Sequence, residues 1–116
     1  MSWHPINGAP VCEATFGGKQ VRALVDTGTE HSMIDSGSVA GDWVPVTQAI
    51  IHTTGGSRVL AVYSLGVNVR TWNCPSLLVV GADLSHLGVE AVIGRDILEH
   101  CTFTYDPRAG TFSLTF

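Results

Sequence analysis

Short stretches in which apolar and polar residues alternate, separated by glycines, make up most of the chain. Residues 11–16 and 20–25 flank a pair of glycines, and residues 44–53 and 57–63 flank Gly55-Gly56. Alternation with a period of two places every second side chain on one face of a strand, and paired glycines between such stretches favour tight turns. The pattern therefore predicts two β-hairpins, the second with a glycine-rich tip.

The rest of the chain continues this pattern and adds one short helix. Residues 96–101 place two apolar side chains before two polar ones, which predicts little more than one helical turn. Residues 37–42 are small and polar and predict a loop. Further strands are predicted over residues 66–70, 76–80, 89–93, 102–105 and 111–116. The whole predicts an all-β, barrel-like domain with one short C-terminal helix.

Length and charge narrow the class of protein. The 116 residues correspond to one domain, with residues 1–10 as an N-terminal arm that is either flexible or in contact with a dimer partner. Apolar residues make up 45% of the chain and charged residues 14%, which argues against disorder and predicts burial against another chain. A net charge of −4 without a basic stripe argues against nucleic acid as a partner.

Targeting features and cysteines indicate a cytoplasmic protein. The first residues lack the basic and apolar stretches of a secretory signal, and no apolar run reaches the ~18 to 20 residues that span a bilayer. Cys12, Cys74 and Cys101 are odd in number and include no Cys-x-x-Cys pair, which is typical of reduced thiols. The five histidines show no ligand spacing, so neither a metal nor a cofactor is expected.

The segment Ala-Leu-Val-Asp-Thr-Gly, residues 23–28, carries the first candidate for chemistry. An apolar strand would end at Asp26, the Thr27 hydroxyl would hold the turn, and Gly28 would let a substrate approach the backbone. Thr29 adds a second hydroxyl within reach of the carboxylate. On this tripeptide alone, a surface turn is an equally good interpretation. Residues 33–37, Met-Ile-Asp-Ser-Gly, also place two apolar residues before an acid, but small polar residues follow and predict a loop.

A second motif, Ala-Val-Ile-Gly-Arg-Asp at residues 91–96, favours a catalytic carboxylate at Asp26 over a surface turn. An apolar strand that ends at Gly94 can pass close behind another loop, where any side chain would collide. Arg95 needs an acceptor in an apolar environment, and Glu30 is the predicted ion-pair partner. Asp96 stands at a helix start, where its oxygens can cap free amides.

Together, Ala-Leu-Val-Asp-Thr-Gly and Val-Ile-Gly-Arg-Asp-Ile-Leu resemble the retropepsin-like aspartic proteases of retroviruses, retrotransposons and bacterial stand-alone relatives. The resemblance covers residues 11–116 and implies one lobe of an acid protease barrel per chain. It implies that Asp26 is the catalytic acid, that Thr27 locks two active-site loops together, and that the Gly28 carbonyl faces the substrate backbone. Thr29 stands where retroviral members often carry Ala, and Glu30 where the family usually carries the Asp that pairs with arginine.

The resemblance also implies an aspartic endopeptidase that acts as a homodimer. Two carboxylates that share a proton can activate water and protonate the substrate, and this chain offers one such motif, so the second must come from a second copy. Residues 53–57 resemble the tip of a flap over the peptide, and residues 113–116 resemble the terminal strands that interleave in the dimer. The predicted substrate-binding residues are Leu24, Gly28, His31, Met33, Ile51, Thr54, Gly55, Gly56 and Val92.

Two alternatives stay open. The same fold can serve as a catalytically silent module that binds peptides or dimerises. The chain can also be a fragment that is active only within a larger precursor. An intact Asp-Thr-Gly favours the protease, because a peptide-binding module has no need for this carboxylate.

Overall fold

A computed structural model describes residues 2–3, 8–37, 41 and 43–116, and within these ranges the chain forms ten strands, one 3-10 helix and one short α-helix. The strands are β1 (Ser2–Trp3), β2 (Val11–Phe16), β3 (Lys19–Val25), β4 (Met33–Asp35), β5 (Thr47–Thr53), β6 (Gly56–Val69), β7 (Trp72–Ala82), β8 (Ala91–Ile93), β9 (Thr102–Asp106) and β10 (Thr111–Thr115). The 3-10 helix covers Ser85–Leu87, and α1 covers Arg95–Leu98. No helix within the described ranges combines the length and apolarity that a membrane crossing requires.

Seven of these strands form one sheet that closes on itself. Their order is β2-β3-β8-β4-β7-β6-β5, and β2 also pairs with β6 where Thr15 faces Asn68 and Phe16 faces Val67. The result is a ring of six strands, with β5 outside it as the second strand of a hairpin with β6. The predicted all-β barrel with one lobe per chain and a short helix near its end is confirmed.

The core lies inside this ring because alternate residues of its strands point there. In β2, Cys12, Ala14 and Phe16 are buried while Glu13 is exposed. Residues of β3, β4, β6, β7, β8, α1 and β10 complete the cluster, and the side chain of Ile97 anchors the helix to it. Burial of each large aliphatic or aromatic side chain contributes roughly 1.5–3 kcal/mol, so this cluster is the main source of stability.

Both predicted hairpins are present. Strands β2 and β3 turn at Gly17-Gly18, where both φ angles are positive, and β5 and β6 turn where Thr53 faces Gly56. The predicted segments 57–63 and 66–70 form one continuous strand, β6. The pairing of β6 with β7 shifts register between Leu65 and Val67, and the strand continues past this irregularity. The opposite strand, β7, runs through Pro75 at this irregularity, where a residue without an amide N–H is tolerated.

The acidic motif at residues 33–37 was predicted as a loop, and this is wrong. Met33–Asp35 form β4, a three-residue strand between β7 and β8. Ile34 is fully buried, and the buried Asp35 accepts a hydrogen bond from the backbone N–H of Leu84 at 3.0 Å. Three residues are too few for a readable alternation, so the pairing on both sides of β4 decides its structure.

The C-terminal sheet has the order β1-β10-β9. All five residues of β10 pair with β9, and Phe112 and Ser113 also pair with β1. The strand expected to interleave with a partner is therefore flanked on both sides by strands of its own chain. Within the predicted N-terminal arm, residues 1 and 4–7 lie outside the described residues, as do residues 38–40 and 42 of the predicted loop at 37–42.

Replacement of Asp35 by Ala tests whether this carboxylate is structural. It removes the acceptor of a buried Leu84 N–H, and an unsatisfied buried donor costs about 1–3 kcal/mol. We expect the free energy of unfolding in urea, followed by tryptophan fluorescence, to fall by this amount. Asp83→Ala, which removes an exposed carboxylate from the next turn, is the control and should cost less. Equal losses in the two variants would contradict a special role for Asp35.

Candidate active site

Asp26 leaves the barrel at the end of a fully paired strand. The strand β3 lies between β2 and β8, and Leu24 faces Val92 across the parallel pair. The backbone N–H of Asp26 donates to the Ile93 carbonyl at 3.0 Å. The carboxylate is therefore carried by a rigid element to the barrel surface, where the residue is partly exposed.

Two donors from its own loop hold the Asp26 carboxylate. The Gly28 N–H donates to Oδ1 at 2.8 Å, and the Thr29 hydroxyl donates to Oδ2 at 2.9 Å. A Cβ at Gly28 would lie 3.2 Å from Oδ1, so a side chain there would crowd the carboxylate. Because each oxygen has its own donor, the plane of the carboxylate is fixed while its outer side stays accessible.

Gly94 passes directly behind this loop, as its position after the apolar strand predicted. A Cβ at Gly94 would lie 2.9 Å from the Thr29 carbonyl oxygen and 2.9 Å from the His31 carbonyl carbon. The two segments also share backbone hydrogen bonds, from Arg95 N–H to the Thr29 carbonyl at 2.8 Å and from Asp96 N–H to the Glu30 carbonyl at 3.2 Å. Contacts between two backbones this close require a residue without a side chain.

Ser32 and Asp96 form a second connection between the loop and α1, which the sequence pattern did not indicate. The Ser32 hydroxyl donates to Asp96 Oδ1 at 2.6 Å and accepts from the Gly94 N–H at 2.9 Å, and the Ser32 N–H donates to Asp96 Oδ2 at 2.9 Å. Asp96 Oδ1 also accepts from the Ile97 N–H at 2.9 Å, but Asp96 lies inside the first turn of α1 and the N-cap residue is Gly94. Ser32 is fully buried, as a hydroxyl with three hydrogen bonds can be, but its position between His31 and Met33 gave no signal of a partner 64 residues away.

The predicted ion pair between Glu30 and Arg95 is wrong. The Arg95 guanidinium donates to the Thr27 carbonyl at 3.0 Å. Glu30 is exposed, and its Oε1 lies 3.9 Å from Nε2 of His31. An exposed carboxylate keeps its hydration without an arginine, and the buried connection that a pair would have supplied is made by Ser32 and Asp96 instead.

An apolar cavity of about 240 Å³ lies beside the Asp26 loop. Of the predicted substrate-binding residues, His31, Met33 and Ile51 line it. Thr29 and Glu30, predicted for other roles, line it too, as do Leu60 and Val80, which the sequence did not indicate. Leu24 and Val92 do not line it, and Val92 is only 1% exposed, in register with Met33 on the next strand.

The remaining predicted site residues lie on the surface of the lobe. Thr27 and Gly28 are exposed in the loop after β3, and Thr54, Gly55 and Gly56 are exposed at the tip of the β5–β6 hairpin. The lobe thus presents two groups of exposed backbone, one at the carboxylate and one at the hairpin tip.

Other chemistries find little support. The described part of the chain holds no group of three or more His, Cys, Asp or Glu side chains arranged for a metal ion. Burial raises the pKa of the Cys12 thiol to about 12, against a smaller opposing effect of Arg70, and burial also raises the pKa of Cys101. Both therefore stay protonated at neutral pH, whereas a nucleophilic cysteine must be a thiolate.

Comparison with known proteins agrees with this geometry. A sequence model described as "Retroviral aspartyl protease" matches residues 7–105. The solution structure of the simian foamy virus (mac) protease superposes with a TM-score of 0.59 at 17% sequence identity, covering 77% of this chain and 91% of the viral one. At this identity the structural likeness shows the fold. A search of curated proteins finds no match.

Replacement of Gly94 by Ala tests the close approach behind the loop. The added methyl group would meet backbone atoms that cannot rotate away, so we expect the free energy of unfolding to fall by about 2–3 kcal/mol. The measurement is chemical denaturation followed by tryptophan fluorescence. Gly37→Ala, at a position with open space around it, is the control and should change stability little. A Gly94→Ala protein as stable as the control would contradict the contact.

Proposed function

Because this chain belongs to the retroviral aspartyl protease family, we propose that it is an aspartic endopeptidase and that two copies form one active site, with Asp26 of each chain on either side of a water molecule. The observation that carries the proposal is the Asp26 carboxylate, which two donors of its own loop fix at the end of β3 while its outer side stays accessible.

Within the described part of the lobe, Asp26 is the one carboxylate that we assign to the reaction. Two other carboxylates of the described residues are anchored within the lobe: Asp35 accepts from Leu84, and Asp96 accepts from Ser32 and Ile97. Peptide hydrolysis without a metal or a nucleophile needs a base for water and an acid for the carbonyl oxygen. Two carboxyl groups within about 3 Å share one proton and supply both, so a second copy of Asp26 completes the site.

The reaction then follows from this sharing. The ionised carboxylate takes a proton from the water, whose oxygen attacks the peptide carbonyl carbon, and the protonated carboxyl group donates its proton to the carbonyl oxygen. Breakdown of the tetrahedral intermediate transfers a proton to the leaving nitrogen and breaks the C–N bond. Gly28 and Thr29 keep each Asp26 oriented through both steps.

The cavity beside the loop supports a preference for extended peptides with bulky apolar side chains. Met33 and Ile51 are among its apolar walls, and it is large enough for one aliphatic or aromatic side chain. In the proposed enzyme, the exposed tip at Thr54, Gly55 and Gly56 covers the bound peptide, and closure of such a hairpin excludes water.

Asp26→Asn decides between the protease and a catalytically silent peptide-binding module. The amide cannot take or give the proton, so we expect the rate of peptide cleavage to fall by about 10²- to 10⁴-fold while the fold is retained. The substrates are peptides with apolar residues on both sides of one bond, and Asp83→Asn is the matched control on the surface. Equal cleavage by the two variants would argue against Asp26, and peptide binding without cleavage by the wild-type chain would favour the binding module.

A mixing experiment tests whether the site is shared between chains. A roughly tenfold excess of Asp26→Asn chains traps wild-type chains in mixed dimers, so wild-type activity should fall about tenfold after equilibration. An equal excess of Asp83→Asn should raise activity, because it contributes active chains. Wild-type activity that is insensitive to excess Asp26→Asn chains would show that each lobe acts alone.

A further inference from the structure

We propose that the cavity beside the Asp26 loop takes a basic side chain of the substrate, lysine or arginine, whose cation meets Glu30, and that the charge of His31 controls this preference. The proposal rests on the proposed function and adds to it the chemical class of one substrate residue. Apolar walls alone would favour any bulky aliphatic side chain, and the charges of the loop that borders the cavity select among them.

The cavity has two chemically different sides. The side formed by the sheet is lined by apolar side chains, one from each of four strands: Met33, Ile51, Leu60 and Val80. The side formed by the loop is lined by Thr29, Glu30 and His31. The side chains of Glu30 and His31 are 75% and 59% exposed, so their polar ends lie in water at the rim. A lysine or arginine fits both sides, because its aliphatic stem packs on apolar groups while its charged end stays in water.

The charges around the rim favour a cation. Glu30 borders a neighbouring depression that is also lined by Arg95, Asp96 and Glu99, so three carboxylates lie near one guanidinium. That guanidinium already donates to the Thr27 carbonyl, and Asp96 already accepts hydrogen bonds within the lobe. Of the three carboxylates, Glu30 is the one that also lines the cavity, which makes it the acceptor for a cation bound there.

The other elements around the cavity place no competing charge in it. On the hairpin, Arg58 faces Ile51 across the strand pair but does not line the cavity. His52, the next residue of β5, lies on the opposite face of the hairpin, where its Nδ1 is 2.8 Å from the Ser57 hydroxyl. β7 has no charged residue, and Asp35 of β4 is buried and accepts a backbone N–H. The charge at the cavity is therefore set by Glu30 and His31.

His31 is placed to control the availability of Glu30. Its Nε2 lies 3.9 Å from Glu30 Oε1. Histidine is the side chain that changes its charge between about pH 8 and pH 5. A neutral imidazole leaves the carboxylate to the substrate, whereas an imidazolium pairs with the carboxylate and repels a second cation at the same rim. The preference for a basic side chain is therefore present near pH 8 and weakens as the pH falls.

A pair of matched peptides tests this preference. One carries lysine and the other norleucine, which is lysine without its amino group, and the pair is placed in turn at each position near a bond flanked by apolar residues. The measured quantity is the ratio of kcat/KM for lysine to that for norleucine, in which the pH dependence of the shared chemistry cancels. At one position we expect a wild-type ratio of about three to five at pH 8, falling towards one at pH 5.

Three variants assign the effect to residues. Glu30→Gln should bring the ratio to about one at both pH values, and His31→Gln should keep the ratio of the wild type at pH 8 throughout the range. Glu99→Gln is the matched control, because Glu99 is an exposed acid of the neighbouring depression that does not line the cavity, and it should keep the wild-type ratio. Cleavage of the norleucine peptide by each variant shows that its active site is intact.

Three results overturn the inference: a wild-type ratio near one at every position, equal losses in Glu30→Gln and Glu99→Gln, or a pH dependence that persists in His31→Gln. If the wild type cleaves neither peptide, the proposed function fails, and the ratio of the dissociation constants of the two peptides then decides the inference. Fluorescence anisotropy with labelled peptides measures these constants on the same four proteins. Equal dissociation constants in the wild type at pH 8 would also overturn it.

Discussion

The close contact between two backbone segments, residues 26–32 and residues 93–96, is the constraint on which the rest of the site depends. Gly94 leaves no space for a side chain, and backbone hydrogen bonds on both sides of it tie the loop to the end of β8 and the start of α1. Ser32 and Asp96 close the same junction from the buried side. With the base of the loop fixed, the donors at Gly28 and Thr29 hold the Asp26 carboxylate in one orientation.

The charged residues at and near this junction have different roles. Asp96 and Asp35 satisfy backbone donors and hold elements together, while Asp26 is partly exposed and is oriented by donors of its own loop. Arg95 was expected to form an ion pair with Glu30, but its guanidinium donates to the backbone carbonyl of Thr27 in the loop. A guanidinium carries several donors in a rigid arrangement, so a carbonyl acceptor can replace a carboxylate without leaving the residue unpartnered.

The sequence predicts those parts of the structure that depend on local patterns. Glycine pairs and alternating residues locate the hairpins, and the apolar strand that ends at Gly94 predicts the close approach behind the loop. Prediction from the sequence fails where pairing between distant segments decides the structure. β4 is too short to show a pattern and exists because β7 and β8 flank it. The hydrogen bonds from Ser32 to Asp96 join residues 64 positions apart. Leu60 and Val80 line the cavity because the order of strands in the sheet places them beside it.

One continuous segment, from β8 through α1 to β9, connects the carboxylate loop to the free edge of the C-terminal sheet. Its first part fixes the loop, its helix is anchored in the core by Ile97, and its last part is the outer strand of the C-terminal sheet. The element that orients Asp26 is therefore held from two sides, by the buried side chain of Ile97 and by the hydrogen bonds from the Arg95 and Asp96 amides to the loop. Because α1 has only four residues, it has little freedom to move without moving the loop that carries the carboxylate.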